Sequence, residues 1–357
     1  MIALIEGIKC VACVGSGLVG QGWATLFALH GYDVVMQDLT EEKLEEAKGR
    51  VSHHIDTLVD AGVGKDAEAA KTRLSTTTSL EEAKSRVSHH IDTLVDAGVG
   101  KDAEAAKRRL STTTSLEEAL KGADFVVESV YESLEVKCPL YAEMDKLAPA
   151  NVVFTSSTSG LMMTEIARDM RLHPERAIVA HPWNPVHLVP LVELSPGEKT
   201  SEETVDLAYR VMEDMGKVPV VLKKEVPGFI ANRVSVALWR EALDLVDQGV
   251  ASVEDVDKAI RAGPGIRWAV MGPYMVYHLG GGKGGIEYLM RHIGESKSKW
   301  LKTMATWTET PETVVQKAID GVDEMVGDKS LEELESWRDE YLLSLNKLLW
   351  SKDSETH

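Results

Sequence analysis

Cysteine is scarce. The 357 residues hold three, at positions 10, 13 and 138. So small and odd a number excludes a disulfide framework and points to a reducing compartment, so a cytoplasmic protein is expected. Cys10 and Cys13 form a CxxC, but no second cysteine pair exists to complete a zinc site. In an extended run, residues three apart face opposite sides, so the pair reads as two strand residues and no metal centre is expected. Long apolar runs are also missing. Runs such as ValAlaCysVal ahead of Gly15 are far too short to span a bilayer. The N-terminus lacks a basic segment followed by an apolar stretch and a small-residue cleavage site, so no signal peptide is expected. Positive charge is in deficit: 39 Lys and Arg stand against 57 Asp and Glu, a formal net charge of −18. Such a field repels phosphate backbones and anionic membranes, which argues against nucleic-acid and membrane partners but leaves room for a local cationic pocket. A GxSxG elbow and a metal triad are both absent, so hydrolase chemistry has no support.

Apolar residues make up 44% of the chain, and the length suits two domains. The clearest organisational feature is a near-exact repeat. Leu44–Ala83 matches Leu80–Ala119, and only Gly49 against Ser85 and Thr72 against Arg108 differ. Two copies with no third do not make a solenoid. Each copy has a capping residue (Thr40, then Ser79), a helical run reaching Ala61 or Ala97, and a stop at Gly62 or Gly98. A second short helix follows from Asp66 or Asp102, and then LeuSerThrThrThr reads as a strand. The pairs His53–His54 and His89–His90 sit on helices, where adjacent residues do not share a face, so they read as exposed or half-packed.

Strands are expected at Lys9–Val14, Asp33–Gln37, Phe125–Ser129, Val152–Thr155, Ala177–Ala180 and Val218–Leu222, with helices between them. That alternation predicts an α/β fold, a Rossmann-like, mostly parallel sheet with helices on both faces. After Glu225 the tract turns helical. The expected domains are therefore 1–223, carrying the sheet, and 224–357, all-helical. GlyGlyGlyLysGlyGly at 280–285 lacks the phosphate-loop order and reads as a connection between helices.

Gly15, Gly17 and Gly20 form GxGxxG between an apolar strand and a helix, and Asp38 ends the next strand. That context is the dinucleotide fingerprint. Gly15 permits the turn, Gly17 lets backbone approach a pyrophosphate, and Gly20 lets helix and strand pack closely. Leu18 and Val19 complete the loop at the helix N-terminus, which favours phosphate charge. Asp38 accepts from ribose hydroxyls and repels a 2′-phosphate, so NAD is expected over NADP.

Further on come SerSerThrSerGly (156–160), HisProTrpAsnPro (181–185), Glu193 and Asn232. Oxidising an alcohol needs a base for the hydroxyl proton, and histidine has the appropriate intrinsic pKa. A carboxylate on its second nitrogen fixes the tautomer and supports the imidazolium. Ser and Asn side chains can hydrogen-bond a substrate oxygen.

These residues, with GlySerGlyLeuValGly, ValValGluSerValTyrGlu and ProGlyPheIleAlaAsnArg, resemble the L-3-hydroxyacyl-CoA dehydrogenase superfamily over nearly the whole chain. The resemblance implies that His181 is the base, Glu193 its partner, and Ser159 and Asn232 the groups on the reacting oxygen. It places Glu132 and Lys137 near the nicotinamide half of the cofactor. It also implies a helical C-terminal domain through which a homodimer forms. Within the superfamily, SerSerThrSerGlyLeu, GlyIleArgTrpAlaValMetGly (265–272) and the ArgAspGluTyr of the last helix look like the carnitine 3-dehydrogenase group. The L-gulonate 3-dehydrogenase and lambda-crystallin group and the 3-hydroxybutyryl-CoA dehydrogenases are the alternatives, and a crystallin-like structural role is the non-enzyme reading. Arg267 can clamp a free carboxylate bidentately. Trp183, Trp239, Trp268, Tyr274 and Tyr277 are candidates for an aromatic cage around a trimethylammonium group. The duplication falls in the region that helps hold CoA in CoA-using relatives.

Overall fold

The apolar run before Gly15 forms β1 (Cys10–Val14), and the segment after it forms α1 (Leu18–Leu29). The structure, a computed structural model, describes residues 5–39, 80–96 and 102–349. Residues 40–79, which hold most of the first copy of the repeat with Thr40, His53–His54, Gly62 and Ser79, lie outside the described residues, as do Ala97 and Gly98. The alternation continues through β2 (Asp33–Gln37), α2 (Leu80–Asp96), α3 (Ala103–Arg108), β3 (Leu110–Thr113), α4 (Leu116–Lys121), β4 (Phe125–Glu128) and α5 (Leu134–Leu147). Then come β5 (Val153–Ser156), a short α6 (Met163–Ile166), β6 (Ala177–Pro182), β7 (Leu191–Pro196), α7 (Glu202–Asp214) and β8 (Val218–Val221).

Among the described residues the strands form one sheet, in the order β3-β2-β1-β4-β5-β6-β7-β8. The first six positions follow the dinucleotide-binding order. Every pair is parallel except β6–β7, where His181 lies opposite Glu193. The period of two along the strands feeds two cores, one on each face. Val11, Cys13, Val34, Met36 and Val127 pack against Trp23 and Phe27 of α1, Val87 and Ile91 of α2, and Val211 of α7. Ala12, Val14, Val126, Phe154 and Val179 pack against Leu120 of α4, Tyr141 and Met144 of α5, and Ile166 of α6. Local signals set the helix starts: Asp102, Ser115 and Ser133 each accept a first-turn amide of the helix that follows.

The second copy of the repeat fills the place beside the Asp38 strand. Its α2 buries Ala83, Val87 and Ile91 in the same core as α1, and its β3 pairs with β2 through Val34 opposite Leu110. Truncating Ile91 to Ala there is expected to cost about 2–5 kcal/mol. His89 is exposed. His90 is half-buried and stacks on His187, ring centroids 4.4 Å apart.

The chain divides into two compact units, Met1–Ile230 and Ala231–His357. The second unit is helical: α8 (Ala231–Asp247), α9 (Val253–Ile260), the one-turn α10 (Ile266–Trp268), α11 (Pro273–Gly280), α12 (Gly285–Leu301), α13 (Glu312–Val326) and α14 (Leu331–Leu349). No helix among the described residues is long and apolar enough to cross a membrane.

Two elements differ from the sequence reading. β7 was not expected, because a charge in LeuValGluLeu interrupts its apolar pattern; in the sheet that charge is paired. β6 runs on to Pro182, so His181 sits within a strand and not just after one.

Candidate active site

The fingerprint glycines have separate causes. Gly15 has φ +95°, and a Cβ there would lie 2.6 Å from the Ser129 carbonyl oxygen. A Cβ on Gly20 would lie 2.0 Å from the Gly15 oxygen. Both glycines are demanded by the fold itself. Gly17 is different: a Cβ there meets nothing within 4 Å. It borders open space at the N-terminus of α1, where no side chain caps the first amides and no acidic residue stands in the first turn. Leu18 is exposed there, and Val19 packs against the core behind it. Bare amides at a helix N-terminus form an anion site. Asp38 follows β2, and its Oδ2 accepts the Ser16 amide at 2.7 Å and the Ser16 hydroxyl at 2.5 Å. Its Oδ1 accepts the Leu39 amide at 2.8 Å, so the carboxylate is fixed beside the loop with a lone pair on Oδ1 left for a ribose hydroxyl. These residues fit NAD.

His181 and Glu193 are cross-strand partners, 5% and 1% exposed, with His Nδ1 2.9 Å from Glu Oε2. The other Glu193 oxygen, Oε1, accepts the Ile230 amide at 2.8 Å. That amide is aimed by a tight turn: Gly228 has φ +74° and Phe229 φ +52°. Phe229 is buried, and its ring lies 5.3 Å from the His181 ring. A non-glycine residue in this region costs roughly 1–2 kcal/mol, offset by that burial. The ProGlyPheIle signature therefore orients the His–Glu pair, a contribution the sequence reading missed. Trp183 is half-buried, its ring 6.4 Å from His181. The loop after His181 is held by Lys217, whose ammonium donates to the carbonyls of Val186 and, at 2.8 Å, Val189. Burial pushes the Lys217 ammonium down to about 7.

A second cluster joins the ends of β4 and β5. Glu132 Oε1 accepts the Thr158 hydroxyl at 2.5 Å, the Ser159 amide at 2.9 Å and the Ser159 hydroxyl at 3.3 Å. Lys137 lies 3.5 Å from Glu132 Oε2 and 2.6 Å from Oε1 of Glu128. Glu128 was not singled out from the sequence, although it is the first glutamate of ValValGluSerValTyrGlu. A glutamate closing an apolar strand was the available signal.

The structure thus brings together His181 with Glu193, Ser159 with Glu132 and Lys137, and Asp38 with the glycine loop. Asn232, Arg267, Trp268 and Tyr274 belong to the second unit. Asn232 is half-buried in the first turn of α8, Arg267 and Trp268 are exposed on α10, and Tyr274 is exposed on α11.

The 3-hydroxyacyl-CoA dehydrogenase NAD-binding domain profile matches residues 10–97 and again 76–226, two stretches that overlap within the repeat. The C-terminal domain profile of the same family matches residues 228–320. The chain is 37% identical to an L-carnitine dehydrogenase of Nocardiopsis dassonvillei, covering 96% of this chain and 92% of that protein. It is 38% identical to an L-carnitine dehydrogenase of Oceanobacillus iheyensis, covering 96% and 98%. Among solved structures, 5-formyl-3-hydroxy-2-methylpyridine 4-carboxylic acid 5-dehydrogenase, an NAD+-dependent dismutase, superposes with a TM-score of 0.72 at 26% identity, covering 96% and 98%.

Proposed function

The chain belongs to the 3-hydroxyacyl-CoA dehydrogenase family, and on that premise we propose that the alcohol it oxidises is the 3-hydroxyl of a small free L-3-hydroxy acid, L-carnitine. It is an NAD-dependent dehydrogenase acting on a CH–OH group. When bound, the nicotinamide supplies the acceptor for the hydride leaving the carbinol carbon. His181 takes the hydroxyl proton at Nε2, because Nδ1 faces Glu193 at 2.9 Å. Glu193 fixes that tautomer and supports the charge that the ring gains. Ser159, anchored through its amide on Glu132, turns its one hydroxyl proton from Glu132 to the reacting oxygen; Asn232 is the further donor that the family resemblance implies, and Glu132 and Lys137 border the nicotinamide half of the cofactor. The observation that carries this chemistry is the buried, cross-strand His181–Glu193 pair in a chain whose first turn carries the NAD fingerprint.

The substrate assignment rests on full-length likeness to proteins named L-carnitine dehydrogenase. Arg267 suits the carboxylate through a two-pronged, charge-assisted contact. Trp183, Trp268, Tyr274 and Trp239 suit the trimethylammonium group; the Tyr277 ring already carries the Lys297 ammonium at 3.7 Å. The second unit exposes Val234, Trp239, Ile266, Val270 and Leu348, a degree of apolar exposure that supports a homodimer through this domain. A reducing, cytoplasmic setting suits three free cysteines. The test is NAD reduction with L-carnitine as the sole substrate. NADH formation supports the proposal, and its absence while another 3-hydroxy acid is oxidised refutes it.

A further inference from the structure

Glu128 is the most deeply buried carboxylate beside the site, 0% exposed at the C-terminal end of β4, and the chemistry above makes no use of it. Its position follows from the sheet. In the β4–β5 register it lies opposite Ser156, whose hydroxyl donates to Oε2 at 2.7 Å. Its Oε1 accepts the Val130 amide at 2.7 Å and the Lys137 ammonium at 2.6 Å. Lys137 is 1% exposed and reaches this place from the first turn of α5. The ammonium therefore stands between two carboxylates. The buried one is in contact, and the one at the mouth, Glu132, is 3.5 Å away.

The asymmetry has a consequence for Ser159. The Glu132 oxygen that faces away from Lys137 carries the Thr158 hydroxyl and both the amide and the hydroxyl of Ser159. A carboxylate that moved to take Lys137 at full contact would have to leave those donors. What keeps Lys137 from drawing Glu132 inward is the charge on Glu128. A neutral amide at 128 leaves a buried ammonium whose remaining carboxylate within reach is Glu132, and a buried cation seeks its nearest anion.

We propose that Glu128 is a positioning residue for the oxidation: by holding Lys137 it leaves Glu132 free to anchor the Ser159 amide, so that the Ser159 hydroxyl can turn to the reacting oxygen. The inference rests on the role of Ser159 given above. The experiment is a double-mutant cycle between Glu128→Gln and Ser159→Ala on the full chain, reading kcat at saturating NAD and alcohol. The variant Glu128→Gln is expected to lower kcat about 10²-fold, the scale of a misplaced positioning group. In the Ser159→Ala background the same change is expected to lower kcat no further. A purely structural Glu128 gives the opposite pattern, with equal and multiplicative losses in both backgrounds, and that result overturns the proposal. So does wild-type kcat in Glu128→Gln. If Ser159→Ala alone leaves kcat intact, the role of Ser159 falls, and this inference with it. A failed cycle on an impaired Ser159→Ala background removes only the inference. Should Glu128→Gln not fold, Glu128→Asp is the second variant: it keeps the charge that holds Lys137, so kcat near wild type is expected, and a loss that multiplies with that of Ser159→Ala overturns the proposal.

Discussion

Replacing Glu193 by Gln keeps the shape of the side chain and removes its charge. In the folded protein the two oxygens of Glu193 serve two donors, His181 Nδ1 at 2.9 Å and the Ile230 amide at 2.8 Å. A glutamine offers one oxygen and one NH2: with its oxygen on the Ile230 amide, its NH2 faces Nδ1, and His181 either meets donor with donor, at about 1–3 kcal/mol of stability, or turns to the tautomer protonated at Nε2, which cannot take the substrate proton. The kinetic loss is larger. Once His181 has taken the substrate proton, its positive charge sits ~4 Å from the carboxylate, an attraction of ~4 kcal/mol at an effective dielectric of about 20. At about 1.4 kcal/mol per tenfold, its complete loss slows turnover roughly 10³-fold. Partial compensation by the amide dipole reduces this to between about 10² and 10³. The assay is steady-state NADH absorbance at saturating L-carnitine, with NAD binding measured by calorimetry on the same variant. NAD affinity is expected to hold, since no contact of Gly15–Gly20 or Asp38 involves residue 193. Turnover close to wild type in Glu193→Gln would refute the assignment of this pair as the proton-accepting unit.

Asp38→Ala removes the carboxylate that ties Ser16 and repels a 2′-phosphate; weaker NAD binding and a smaller NAD-over-NADP preference are expected, and a wild type that already prefers NADP contradicts the reading. Arg267→Leu is expected to raise KM for a free 3-hydroxy acid by about 10-fold or more through loss of a charge-assisted contact, and to leave a CoA thioester nearly unaffected; equal effects on both exclude Arg267 as the carboxylate clamp. Deleting residues 44–79 joins Lys43 to Leu80 and keeps the copy that packs on α1, so folding, NAD binding and turnover should survive, and loss of NAD binding would show that the first copy is needed. Deleting 80–115 instead leaves a copy with Gly49 and Thr72 in place of Ser85 and Arg108, and thermal unfolding should find it less stable than the first deletion by about 0.5–1 kcal/mol, the summed helix propensity difference.

The NAD half of the site was legible in the sequence because its residues answer to local geometry. A strand, three glycines at fixed spacing and an acidic residue one strand later are read along the chain. The His181–Glu193 pair was legible as chemistry but not as architecture. A strand carrying a buried glutamate breaks the apolar pattern, so β7 was missed and with it the antiparallel register that sets the two side chains opposite each other. Glu128 escaped for a related reason, since its partners Ser156 and Lys137 come from different elements. Phe229 escaped as well, because nothing local announces a left-handed aromatic residue. For the repeat, two near-identical stretches compete for one edge of the sheet, and their shared apolar spacing does not rank them. The structure seats the second, and the two differing positions favour it: Ser85 and Arg108 are better helix residues than Gly49 and Thr72.

L-Carnitine is the proposed substrate, oxidised with NAD at its 3-hydroxyl. The most direct measurement compares kcat/KM for L-carnitine, L-gulonate, free 3-hydroxybutyrate and 3-hydroxybutyryl-CoA with the same enzyme at saturating NAD. The highest value is expected for L-carnitine and the lowest for the thioester, which has no free carboxylate for Arg267. A thioester value above that of every free acid, or no turnover of L-carnitine, would contradict the proposal.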